Sequence, residues 1–129
     1  MEETKRNIKE ICTSFKCAFR GVKYAISHER NFQIEIISAF SIVALILIFD
    51  IKSWEAVVLF LMIMWILVVE LVNTVVEKVV DILKPRVHPY ARLIKDMMAA
   101  VVLISAVFVA AIGIIIFYPY LRDLFIFAY

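Results

Sequence analysis

In a chain of 129 residues, 64% hydrophobic side chains and a mean hydropathy of +0.94 exceed what a single soluble core can hide, so the chain reads as a membrane protein. A net charge of +2 gives no reason to look for nucleic acid. The distribution of charge says more, because most Lys and Arg lie before residue 31 or between Lys84 and Lys95. Cys12 and Cys17 are too few and wrongly spaced for a metal knuckle or a disulfide framework, and read as free thiols. The N-terminal thirty residues are charged throughout and carry no apolar signal core, so the spans themselves are expected to do the targeting.

From about residue 4 to 27, Ile8, Ile11, Cys12, Phe15, Phe19, Val22 and Ile26 fall in one arc. Lys5, Lys9, Lys16, Arg20 and Lys23 occupy an adjacent flank, the pattern of an amphipathic helix lying on an anionic bilayer surface. Packing against protein would produce a similar pattern. Residues 27–35 follow as a polar join at headgroup depth; Glu29 and Glu35 lie six apart, which on one helix would point them different ways. His28 reads as an interfacial histidine.

A first span over about 34–51 is short for a bilayer, and Asp50-Ile51-Lys52-Ser53-Trp54-Glu55 is a polar turn with a Trp at interfacial depth. The second span, about 54–83, is long enough to protrude from the hydrocarbon. Two prolines and a run of cations make Lys84 to Arg92 a loop, and a third span over about 96–118 ends at Pro119. With both basic segments on the cytoplasmic side, the Asp50 turn and the C-terminus are expected outside.

The protruding end of the second span carries the chemistry. With Glu70 set at zero, Asn73, Thr74, Glu77 and Asp81 fall near about −60°, +40°, −20° and +20° around a helix, a polar stripe on a Val-rich surface. Glu70 and Glu77 are about 10.5 Å apart along that helix, too far to chelate one ion together but placed to divide labour. Glu70, the deeper acid, suits general-base work on a hydroxyl. Glu77, nearer water, suits Mg²⁺, which takes one or two carboxylates plus phosphate oxygens, with Glu29 as a second carboxylate if the surface segment folds back. Lys95, Arg86 and Arg92 supply cations at the same depth. Residue types alone leave three readings open: polar glue between helices, an ion or proton pathway, and phosphoryl transfer. With Gly21 and Gly113 the only glycines, there is no P-loop or Gly-rich phosphate cradle.

Glu70-Leu71-Val72-Asn73-Thr74-Val75-Val76-Glu77-Lys78-Val79-Val80-Asp81, then Lys95-Asp96-Met97-Met98-Ala99-Ala100, resembles the signature of the small bacterial diacylglycerol kinase family. That signature reads Glu-x-x-Asn-Ser/Thr-Ala-x-Glu-x-x-x-Asp and then Lys-Asp-x-x-x-Ala. The resemblance covers nearly the whole chain, and Glu29-Arg30-Asn31-Phe32-Gln33 with His88-Pro89 is more similar to the branch that phosphorylates undecaprenol than to the diacylglycerol branch. It implies an all-α integral membrane protein: one kinase domain over residues 1–129, a surface helix and three spans per subunit, and a homotrimer whose active sites are shared between neighbours. It also implies ATP as phosphoryl donor, Mg²⁺ as metal, a membrane lipid alcohol as acceptor, and a bacterial inner membrane location with the active site cytoplasmic.

By the same resemblance, Glu70 is the base with Asn73 beside it. Glu29 and Glu77 hold the metal under the ATP phosphates, and Lys95 and Asp96 contact nucleotide. Arg86 and His88 lie near the adenosine, and Phe32, Glu35 and Ala99 line the lipid site with Glu70. The chain departs from the pattern at Val75, where a small Ala is usual and a helix contact is expected to narrow. It departs also at Glu10 and Cys17, which stand where one branch has Arg and Tyr, so those nucleotide contacts do not carry over. The expected reaction is phosphorylation of undecaprenol, with diacylglycerol as the alternative acceptor and a non-catalytic membrane oligomer as the alternative of another kind.

Overall fold

Backbone polar groups in hydrocarbon must be satisfied within the protein, and this chain meets the demand with helices. The computed structural model describes residues 2–83 and 89–127, apart from a few side chains near the segment ends. Its helices are α1 (Glu2–His28), α2 (Arg30–Ile48), α3 (Ser53–Leu83) and α4 (Pro89–Phe127). Three of them, α2, α3 and α4, are long and apolar enough to cross a membrane. α3 is the most covered, packing against both α2 and α4, while α1 packs on α2. Much of the remaining apolar surface, such as Phe40, Leu47, Ile48 and Ile115, is exposed on the single chain. That is the surface a bilayer or further subunits would cover.

α1 keeps its apolar arc uncovered: Ile11, Phe15, Phe19, Val22 and Ile26 are all exposed. The expected polar join over 27–35 shrinks to one residue. Glu29 alone leaves the helical region (φ −108°, ψ 109°), and α2 starts at Arg30. The break is held by local bonds: Glu29 N–H donates to Ala25 O at 2.9 Å, Gln33 N–H to Glu29 O at 3.1 Å, and the Gln33 side chain to Ile26 O at 2.9 Å. Buried Ala25 and Phe32 pin the corner. Polarity over 30–35 reflects the depth of this first turn of α2, not an absence of helix.

The α2–α3 turn is a Schellman cap. Asp50 takes the left-handed conformation (φ 48°), Phe49 N–H bonds to Leu45 O, and Ile51 N–H reaches back to Ile46 O at 3.2 Å. The apolar contact that accompanies such caps joins Ile46 to Ile51, and these two pack with Leu59 and Ile116 in the bundle's buried cluster. α2 therefore stops at Ile48, short of the expected Ile51.

α4 corrects the expected third span at both ends. It begins at Pro89, where the missing N–H of proline costs nothing in a first turn, so Tyr90 to Arg92 are helical rather than loop. It then continues through Pro119 to Phe127. Membrane helices tolerate an internal proline where neighbouring helices hold the segment. Here Phe117 packs into the buried cluster and the Tyr120 hydroxyl donates to Glu55 of α3, anchoring both sides of Pro119.

Candidate active site

In the half of α3 remote from the Asp50 turn, the start of the polar stripe faces inward, while Asp81 at its far end is exposed. Glu70 is 2% exposed, and Asn73 and Thr74 are buried beside it, while Val72, Val75 and Val79 point outward. Val75, where the family pattern has a small Ala, is 56% exposed on the single chain. The amides of Asn31 (α2) and Asn73 lie within hydrogen-bonding reach of the Glu70 carboxyl. Asn73 also donates to Glu77 Oε1 at 3.4 Å, a long bond spanning one helical turn.

Glu29 and Glu77 act electrostatically on Glu70, and Glu70 acts on Glu35. Glu29 and Glu35, to which spacing alone assigns different directions, are both electrostatic neighbours of Glu70, because Glu29 stands at the break before α2 and not on its helix. Four oxygens here are buried without a hydrogen-bond partner: Glu70 Oε2, Asn73 Oδ1, Glu35 Oε2 and Glu29 Oε1, the last of them ion-paired with Lys78. Buried polar atoms left unpaired are costly and mark a site shaped for something that brings its own donor.

The remaining predicted residues divide clearly. Phe32 is buried at the α1–α2 corner, Glu77 is half-buried, and Asp96 and Ala99 are exposed. Lys95 Nζ pairs with Asp81 of α3, tying the first turns of α4 to the stripe. Arg86 and His88 lie outside the described residues. Sequence reasoning missed two side chains. Asn31 was recognised only as part of a resemblance, and Lys78 was given no role although its Nζ sits 2.9 Å from Glu29 Oε1. No spacing rule links residues 29 and 78; the pairing follows from how the α1–α2 corner sits beside α3.

Beside the acids runs an open-sided apolar groove of about 610 Å³ between α2 and α4. Glu35 and Ser38 lie at one end, Ile42, Leu45 and Ile66 along the wall, and Ala106, Ala110 and Gly113 on the α4 side. Small α4 side chains leave the room: a Cβ added at Gly113 would meet nothing within 4 Å.

The acids also bear on the implied metal. Among the described residues no group of three or more His, Cys, Asp or Glu is arranged to hold an ion by itself. That excludes little for Mg²⁺, which needs one or two carboxylates and completes its shell with phosphate oxygens and water. Glu29 and Glu77, both electrostatic neighbours of Glu70, fit such an ion; they do not make a closed structural zinc site.

Sequence comparison sets a family beside this helix bundle, in which half-buried Glu35 lies at one end of an apolar groove. The model of the prokaryotic diacylglycerol kinase family matches residues 16–117. The chain belongs to this family of membrane lipid kinases. It is 31% identical over 118 residues to an undecaprenol kinase of Bacillus subtilis, covering 92% of this chain and 96% of that protein. It is 29% identical over 117 residues to a diacylglycerol kinase of Synechocystis sp., covering 90% of this chain and 67% of that one. The family's acceptors are therefore lipids, and ATP is the co-substrate that a kinase implies.

Proposed function

We propose that this chain transfers the γ-phosphoryl group of ATP to the hydroxyl of undecaprenol, giving undecaprenyl phosphate. The observation that carries this reading is the buried Glu70 carboxyl, whose Oε2 has no partner, beside Glu35 at the end of the groove. A lipid alcohol whose chain lies along the groove would bring the donor that Glu70 lacks. Glu70 takes the hydroxyl proton, the oxygen attacks the γ-phosphorus, the bond to the bridging oxygen breaks and ADP leaves. Asn31 and Asn73 fix the carboxyl's orientation, so that it meets the hydroxyl without rearranging.

Glu29 and Glu77 would hold Mg²⁺, which would supply neutralisation of the phosphate charge. Lys95 and Asp96 are assigned to the nucleotide, and Lys95 would exchange Asp81 for phosphate when ATP arrives. Arg86 and His88 take the adenosine end. Phe32, Glu35 and Ala99 are assigned to the lipid site. The working unit is a homotrimer in the bacterial inner membrane, with N-terminus and active site cytoplasmic and C-terminus outside, and the exposed apolar faces of the single chain support association.

Diacylglycerol is the second reading, because the Synechocystis relative carries that name. Two features favour undecaprenol: near-complete mutual coverage with the Bacillus protein, and a groove open along its side, which lets a long polyprenyl chain continue into the bilayer. The test is ATP-dependent phosphorylation in mixed micelles with each lipid separately. Undecaprenol turnover well above diacylglycerol turnover supports the assignment, and the reverse order overturns it. Glu77→Gln should lower turnover and raise the Mg²⁺ concentration required.

A further inference from the structure

Lys78 follows Glu77 directly and projects about 100° away around α3, off the face that carries Glu70 and Asn73. It turns toward α1. Its Nζ sits 2.9 Å from Glu29 Oε1 and 6.0 Å from the centroid of the Tyr24 ring. Tyr24 in turn is stacked on His28 at 4.5 Å, so the ammonium is seated by the last turn of α1 on one side and by Glu29 on the other. The Glu29 side chain is 18% exposed and that of Lys78 49%, so the lysine approaches a largely buried carboxylate from the wet side.

Glu29 carries no capping bond to the α2 N-terminus. Its carboxylate is aimed across the bundle instead, into a group where Glu70 and Glu77 are also negative when ionised. Such a group needs resident positive charge to hold its shape without ligand.

We propose that Lys78 is an internal counter-ion that occupies Glu29 in the resting protein and competes with the divalent cation for that carboxylate. The proposal rests on the reading of Glu29 as a metal-holding residue. Its consequence is a threshold: Glu29 changes partner from Lys78 to the ion when the ion arrives, so the site stays ordered when empty and binds free metal less tightly than the carboxylates alone would. Lys78 is a positioning residue in this account, acting through Glu29.

The test is Mn²⁺ titration of the full-length protein in lipid nanodiscs, without nucleotide, following free Mn²⁺ by paramagnetic resonance. Wild type is compared with Lys78→Met, Lys78→Gln, Lys78→Arg and Glu29→Gln. Removing the charge in Lys78→Met and Lys78→Gln should tighten Mn²⁺ binding about two- to fivefold, the range a half-exposed ion pair is worth. Lys78→Arg, which keeps the charge, should stay near wild type, and Glu29→Gln should weaken binding. Loss of a merely structural pair would not tighten metal binding. If Glu29→Gln weakens binding but neither neutral variant tightens it, the counter-ion role is overturned and the metal reading stands. If Glu29→Gln binds Mn²⁺ as wild type does, the metal assignment of Glu29 fails, and the competition with it.

Discussion

Two buried glutamates on α3, one in its first turn and one past its middle, have been treated in opposite ways. Glu55 is 8% exposed and accepts a hydrogen bond from Tyr120, whose oxygen also accepts from Lys52 N–H at 3.3 Å. Around it lies the cluster of Ile46, Ile51, Leu59 and Ile116. Glu70 is buried more deeply, yet keeps one oxygen without a partner and has further acids for neighbours, among them Glu35 of the groove. A buried carboxyl satisfied by its own chain fastens helices together; one left open by its own chain is available to a ligand. Burial by itself does not distinguish the two. The buried oxygen left without a partner does.

The comparison breaks first at Glu70. Glu70→Gln keeps the shape and removes the proposed base, so turnover on undecaprenol, the proposed acceptor, should fall about 10²- to 10⁴-fold while thermal unfolding in detergent hardly moves. A comparable loss of turnover in Glu55→Gln would erase the distinction. The opposite signature is expected at the other end. Tyr120→Phe leaves Glu55 buried without its donor and should cost about 1–3 kcal/mol of stability, read as a lower melting temperature, with turnover per folded protein unchanged.

A smaller effect sharpens the role of the groove. Gly113→Leu places a side chain in open space beside Ala110 and should lower kcat/KM for undecaprenol about tenfold, with less effect on a short-chain prenol, as expected when a binding groove is partly filled. Smallest of all, Asn31→Ala removes one neutral amide from the Glu70 carboxyl and should lower kcat about two- to tenfold, measured at saturating lipid.

Much of this site was legible in advance, since Glu70, Asn73, Thr74 and Glu77 share a face on any regular helix and the structure turns that face inward. The length of α3 followed from its apolar run. What was not legible depends on contacts between elements. Hydropathy placed the start of the first span at residue 34, because Arg30, Asn31 and Gln33 are polar; they are helical, and Asn31 is used on Glu70. Pro119 read as a terminator, because only the fold reveals that Tyr120 and Phe117 hold α4 on either side of it. Lys78 and Glu29 are far apart in sequence, and Lys95 read as a nucleotide contact before its pairing with Asp81 was visible. The groove needed the small residues of α4 to face α2, a matter of helix rotation that the weak periodicity of α4 does not encode.

The role of Glu70 as base is tested most directly by varying the acidity of the alcohol it would deprotonate. Turnover of wild type and Glu70→Gln should be compared on undecaprenol and on an analogue fluorinated next to the hydroxyl-bearing carbon, whose proton leaves more easily. If Glu70 removes that proton, the deficit of the variant shrinks on the fluorinated alcohol. An equal deficit on both alcohols would contradict the account and assign Glu70 to something other than proton transfer.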